Sequence, residues 1–151
     1  MNNLNCALFG HRMLASGYED KLRLELNKLI LRGVKTFYVG THGDFDTLAY
    51  KLLREIKQRY ADVKILLVFT SNKIFEKING YYLTEYFPNT ECISFFVEDK
   101  FYKARITETN KQMVDNSDII LCCVNLENKS SGAGKAVKYA IKHGKEIINV
   151  F

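Results

Sequence analysis

Two stretches of this chain are apolar at nearly every position: Val63 to Phe69, interrupted only by Lys64, and Asp118 to Val124, which reads DIILCCV. A strand with one face in water alternates apolar and polar residues, so an unbroken apolar run implies cover on both faces. A parallel sheet sandwiched between helix layers provides that cover. The rest of the chain supplies the helices.

Taken in order, Asn5 to Phe9 is a short apolar run that delivers Gly10-His11-Arg12 at its carboxyl end. From Tyr18 to Arg32, Leu22, Leu26, Leu29 and Ile30 form a stripe of helical period, closed by Gly33. Thr36 to Val39 is β-branched and aromatic, and the loop Gly40-Thr41-His42-Gly43-Asp44 follows directly. The next helix has the cleanest pattern: Phe45, Leu48, Ala49, Leu52, Leu53, Ile56 and Tyr60 trace one face. After the strand at Val63 to Phe69 the signal weakens, with a short helix suggested by Ile74, Phe75 and Ile78 and an aromatic connection over Tyr81 to Phe87. That connection reads as a lid, an oligomer surface or core. Glu91 to Val97 is then a strand and Tyr102 to Asn116 a polar helix with Ile106, Met113 and Val114 inward. The apolar run at Asp118, a helix opening at Ser131-Gly132-Ala133-Gly134, and a strand from Ile147 to Phe151 complete the pattern. Alternating strand and helix predicts an α/β fold with a parallel sheet.

The chain has 151 residues, 47% apolar and 13% aromatic, enough for one domain over 1–151 with one sizeable core. No apolar run approaches the ~20 residues a membrane helix needs, and no basic, apolar leader opens the sequence, so a cytoplasmic location without membrane contact is expected. Cys6, Cys92, Cys122 and Cys123 lie in or beside apolar runs without C-x-x-C spacing. They read as buried thiols, neither a disulfide framework nor a metal site, because adjacent Cys122 and Cys123 on a strand point to opposite faces. The formal charge of +5 permits a phosphate-bearing partner. The cations, however, are spread over three helices among apolar positions, and no basic and aromatic stacking platform is evident. A nucleic-acid partner is therefore not expected.

Three loops, Gly10-His11-Arg12, Gly40 to Asp44 and Ser131 to Gly134, each follow a strand and precede a helix. In an open α/β sheet such loops line one crevice at the carboxyl ends of the strands. Glycines let backbone amides approach a phosphate, Arg12 can clamp it, Ser131 can donate another hydrogen bond, and Asp44 or Asp46 can hold ribose hydroxyls. Each residue also has a plain structural reading. Gly10 serves as a turn, Gly132 and Gly134 permit close helix packing, Asp46 caps a helix, and His42 is a general base or only a polar loop residue.

Gly10-His11-Arg12, the Gly-x-x-Gly-x-x-Asp-x-x-Ala spacing from Gly40 to Ala49, Asn110 with Met113-Val114-Asp115, and the closing SGAGKAVKYAIKHGKEIINV together resemble the SLOG superfamily, in particular its YpsA-type branch. The resemblance implies a Rossmann-like three-layer fold, a mostly parallel central sheet flanked by helices, and a nucleotide-like small molecule as ligand with no further cofactor. It implies ligand contacts from Gly10, His11, Arg12, Gly43, Asp46, Asn110, Asp115, Ser131, Gly132 and Gly134, and Thr41 of the second loop is a further candidate. The LOG phosphoribohydrolases of the superfamily carry Pro-Gly-Gly-x-Gly-Thr-x-x-Glu, and this chain lacks that glutamate. Binding is thus the first expectation. N-glycosidic or phosphoester hydrolysis, with Asp44 or Asp46 stabilising charge and His42 or His11 moving a proton, is the alternative. Single-stranded nucleic-acid binding ranks last, since DprA relatives bind DNA with additional domains. A homo-oligomer stays open.

Overall fold

The computed structural model describes residues 3–70, 87, 89–98 and 101–151. Among them are β1 (Leu4–Gly10), α1 (Glu19–Leu31), β2 (Val34–Val39), α2 (Asp44–Arg59), β3 (Lys64–Phe69) and β4 (Glu91–Ser94), then α3 (Tyr102–Asp115), β5 (Ile119–Cys123), α4 (Gly132–Lys142) and β6 (Glu146–Asn149). The six strands form one sheet in the order β4-β3-β2-β1-β5-β6, and every neighbouring pair is parallel. This is the α/β, three-layer, Rossmann-like arrangement, with a sheet that is wholly parallel among the described residues.

Strand periodicity splits the core into two layers. Cys6 and Leu8 of β1, with Ile119, Leu121 and Cys123 of β5, pack with Leu22, Leu26 and Leu29 of α1 and with Phe45, Leu52, Leu53 and Ile56 of α2. Ala7, Phe9, Ile120 and Cys122 face the other way, onto Met113 and Val114 of α3 and Val137 and Ala140 of α4. Cys122 and Cys123 therefore occupy opposite layers, and all four cysteines are free. Burial pushes the Cys6 and Cys122 thiols up to about 12, which keeps them protonated and inert. Among the described residues no three His, Cys, Asp or Glu side chains gather as metal ligands, and no helix is long and apolar enough to cross a membrane.

The helix ends are set locally. Gly33, at φ +103°, turns the chain out of α1 while its N–H bonds the Ile30 carbonyl at 3.1 Å. Asp44 and Asp46 occupy the first turn of α2, where the helix dipole favours negative charge. β4 stops at Ser94, three residues before the Val97 the sequence suggests. Phe96 lies at φ +52° and its N–H bonds Ser94 Oγ at 3.1 Å, turning the backbone away from β3. The expected helix around Ile74 to Ile78 and most of the Tyr81 to Phe87 connection lie outside the described residues. Phe87 itself packs its ring against Tyr50 and Phe69 at centroid distances of 5.8 and 6.2 Å.

Candidate functional site

The chain leaves β1 toward β2 on one side and returns to β5 on the other, so the β1/β5 boundary is the switch point of the sheet. The loops after β1, β2 and β5 meet there around a cavity of about 730 Å3, within the range of small-molecule sites. Gly10, His11, Arg12, His42, Asp46, Asn110, Ser131 and Gly132 line it. Thr41, Gly43, Asp44, Asp115 and Gly134 do not, and the structure gives each a contact elsewhere.

Those five residues hold the walls. Thr41 Oγ1 donates to the Val68 carbonyl at 3.4 Å, joining its loop to β3. Gly43, at φ +97°, brings the backbone so close to Arg12 that a Cβ would lie 2.5 Å from Arg12 Cα. The Asp44 N–H accordingly donates to the Arg12 carbonyl at 2.8 Å, while Asp44 Oδ2 accepts from the Leu14 N–H at 3.1 Å. Asp44 thus clamps the β1–α1 loop. Asp115 accepts from the Tyr139 hydroxyl at 2.8 Å, tying α3 to α4. The Gly134 N–H donates to Ser131 Oγ at 3.1 Å and caps α4.

The floor is packed without spare room. A Cβ on Gly10 would fall 2.1 Å from the Phe45 ring, and one on Gly40 would fall 2.6 Å from Asp46 Oδ2. Asp46 sits under its own loop and accepts from the His42 N–H at 2.9 Å. Desolvation pushes the Asp46 carboxyl up to about 7, against the lowering effect of that hydrogen bond. The half-buried His42 imidazole meets Thr70 Oγ1 at 3.0 Å and turns edge-on to Tyr102. Burial and then the Arg12 charge lower its affinity for a proton, so the ring is neutral at pH 7.

His11 joins the first and third loops. Its Nε2 accepts from the Asn125 N–H at 2.8 Å and its Nδ1 lies 3.1 Å from Ser131 Oγ. The Asn125 segment is held in turn by Asn149, whose side-chain amide pairs with both the N–H and the carbonyl of Val124, at 3.1 and 2.9 Å.

Cations dominate the lining. Arg12, Lys103 and Lys135 reach the cavity; among the described residues none of them forms an ion pair, and Asp46 is the one carboxylate side chain in the lining. Arg12 Nη2 donates to the Tyr102 hydroxyl at 3.4 Å, and the Arg105 guanidinium lies over the same ring at 5.8 Å. Tyr102 is 47% exposed and Phe151, stacked on Tyr18, is 58% exposed, so two aromatic residues border the opening. Tyr102, Lys103, Lys135, Asn125 and Phe151 were not legible as site residues. The signal for Asn125 was its place directly after the fifth strand, and for Lys135 its place in the first turn after the Ser131 loop. The signal for Tyr102 was its place at the start of the helix that follows the fourth strand.

No family model and no curated protein matches the sequence. Among solved structures, the chain resembles DNA processing protein A from Helicobacter pylori, with a TM-score of 0.69 and 17% sequence identity over 97% of this chain. It spans 64% of that protein's chain, whose structure is described as showing a unique single-stranded DNA binding mode. The likeness establishes a common fold, the fold of DprA. It also overturns the expectation that a nucleic-acid partner is to be set aside, since a protein with this fold is described as binding single-stranded DNA. Along the sequence the cations are spread over helix faces, with no basic and aromatic platform evident. Folding instead brings Arg12, the neighbours Tyr102 and Lys103, Lys135 and Phe151, from separate parts of the sequence, to one cavity.

Proposed function

We propose that the crevice binds a nucleotide-like anion, with its phosphate between Arg12, Lys135 and the Ser131 end of α4 and its base toward Tyr102. The observation that carries this reading is the charge of the cavity. Among the described residues, three cations that form no ion pair share a lining whose one carboxylate side chain, Asp46, has its ionisation opposed by burial. Such a cavity attracts a group that brings its own negative charge. The YpsA-type motifs of the sequence favour the same placement.

Calorimetry with AMP and ADP-ribose tests it. Hydrogen bonds to charged groups are worth about 1.5–3 kcal/mol, so Arg12→Ala is expected to weaken AMP binding by roughly tenfold or more. Wild-type protein that binds neither compound at millimolar concentration refutes the reading.

The second reading is that the occupant is one unit of a single DNA strand. The partly exposed rings of Tyr102 and Phe151 beside these cations favour it, as does the neighbour's described ligand. It predicts oligothymidylate binding with log affinity falling by about 0.7 per contacted phosphate for each unit of log salt. Tyr102→Ala would cost about 1–3 kcal/mol for a stacked base. Hydrolysis of the bound nucleotide would have to employ Asp46, since Asp44 is committed to Leu14 outside the cavity. Chromatographic product analysis of AMP incubated with wild type and Asp46→Asn decides that point.

A further inference from the structure

We infer that His11 is a positioning residue that fixes the Ser131 hydroxyl as a hydrogen-bond donor aimed at an acceptor oxygen of the bound ligand. The inference rests on the nucleotide reading for the ligand but on hydrogen-bond accounting for the donor. A backbone N–H only donates, so the Asn125 N–H, 2.8 Å from Nε2, requires that nitrogen to be bare. The ring proton is therefore on Nδ1 and is given to Ser131 Oγ at 3.1 Å. Ser131 Oγ already accepts from the Gly134 N–H at 3.1 Å. A hydroxyl oxygen has two acceptor sites, and both are now filled.

The Ser131 proton is what remains. No bond in which Ser131 donates is found among the described residues, and the side chain borders the cavity. It can be given only to something that enters. The same accounting rules out an obvious alternative: His11 and Ser131 look like a base and its nucleophile, yet a protonated Nδ1 cannot take the serine proton. The pair is a binding device, and the group it selects is a hydrogen-bond acceptor, such as a phosphoryl oxygen. An ammonium group at that point would leave two donors facing each other.

Long-range 1H–15N NMR of the free protein reads the histidine directly. Expected is the Nδ1–H tautomer for His11; the Nε2–H tautomer overturns the inference whatever the ligand proves to be. Calorimetry then compares AMP with adenosine on wild type, Ser131→Ala, His11→Ala and His11→Asn. Asparagine keeps an N–H donor near the Nδ1 position. Losing a donor to a charged oxygen should weaken AMP binding by about tenfold to a hundredfold in Ser131→Ala and His11→Ala, leave adenosine unaffected, and be largely rescued in His11→Asn. Equal losses for AMP and adenosine, or unchanged AMP binding in Ser131→Ala, would overturn it. If wild type fails to bind AMP, the nucleotide reading falls, and inorganic pyrophosphate becomes the probe. Pyrophosphate binding that depends on Ser131 supports the donor assignment, and its absence or its persistence in Ser131→Ala refutes it.

Discussion

Replacing Gly10 with alanine adds one methyl group at the point where β1 meets α2. Gly10 does not lie in the left-handed region, so on conformational grounds alone the change would stabilise the fold by about 0.4–1 kcal/mol. Space decides otherwise. The new Cβ would stand 2.1 Å from Phe45 Cγ and 2.5 Å from Phe45 Cβ and Cδ2, on a ring that is 1% exposed. Overpacking of this kind costs about 1–3 kcal/mol, so the net expectation is destabilisation of roughly 1–2 kcal/mol. Phe45→Ala alone loses a buried ring at a cost of about 3–5 kcal/mol. In the double variant Cγ and Cδ2, two of the three atoms the methyl group would strike, are gone, and the combined loss should fall short of the sum by about 1 kcal/mol or more. The chain has no tryptophan, so urea denaturation followed by far-UV circular dichroism is the assay. A Gly10→Ala protein as stable as wild type, or effects that add within about 0.3 kcal/mol, would refute the packing argument.

Asp46 should make stability pH-dependent: with its folded pKa near 7 and its ordinary value at 3.8, the contribution is fully present below about pH 4 and lost as pH rises through 7. Asp46→Asn, which keeps an acceptor for the His42 N–H, should flatten that slope in melting temperatures measured from pH 4 to 8. Gly43→Ala combines a φ of +97° with a Cβ 2.5 Å from Arg12 Cα, and should lose at least about 1 kcal/mol in the same urea assay. Arg32→Ala removes a two-point pair to Glu146 at 2.6 and 2.8 Å. Because both partners are about half exposed, the loss should stay within about 1 kcal/mol and shrink in high salt. A ligand held at a hundred times its dissociation constant should stabilise the fold by about 2.7 kcal/mol, visible as a higher thermal midpoint.

Most of the architecture was legible because buried parallel strands leave a plain mark: Val63 to Phe69 and Asp118 to Val124 had no solvent face to advertise. The stripe on α2 was equally plain, since Phe45, Ala49, Leu52, Leu53 and Ile56 are all buried in one layer. The three glycine loops converge as strand order requires. Division of labour within those loops was not legible, because it depends on bonds between residues far apart in sequence. Asp44 and Asp46 looked equivalent in the sequence. Only the close approach of Arg12 to Gly43 commits Asp44 to the wall, while Asp46 turns inward beneath Gly40. Strand four was overextended for a local reason: Phe95, Phe96 and Val97 have strand composition, and a positive φ at Phe96 stops the pairing regardless.

The position of β1 in the middle of the sheet has a consequence for how the molecule is made. Its partner on one side, β2, follows within a few dozen residues, but its partner on the other is β5, with Cys6 beside Ile119 and Gly10 beside Cys123. While a ribosome is still producing the intervening chain, the hydrogen-bonding edge of β1 has no neighbour, and Ala7 and Phe9 lack the layer that later covers them. An apolar, unpaired edge of that kind is open to wrong partners. The cavity is likewise incomplete throughout that interval, since Ser131 and the Asn125 N–H arrive after β5. A ligand therefore cannot template the nascent protein from its first half, and folding around the site has to wait for residues 119–135 to emerge.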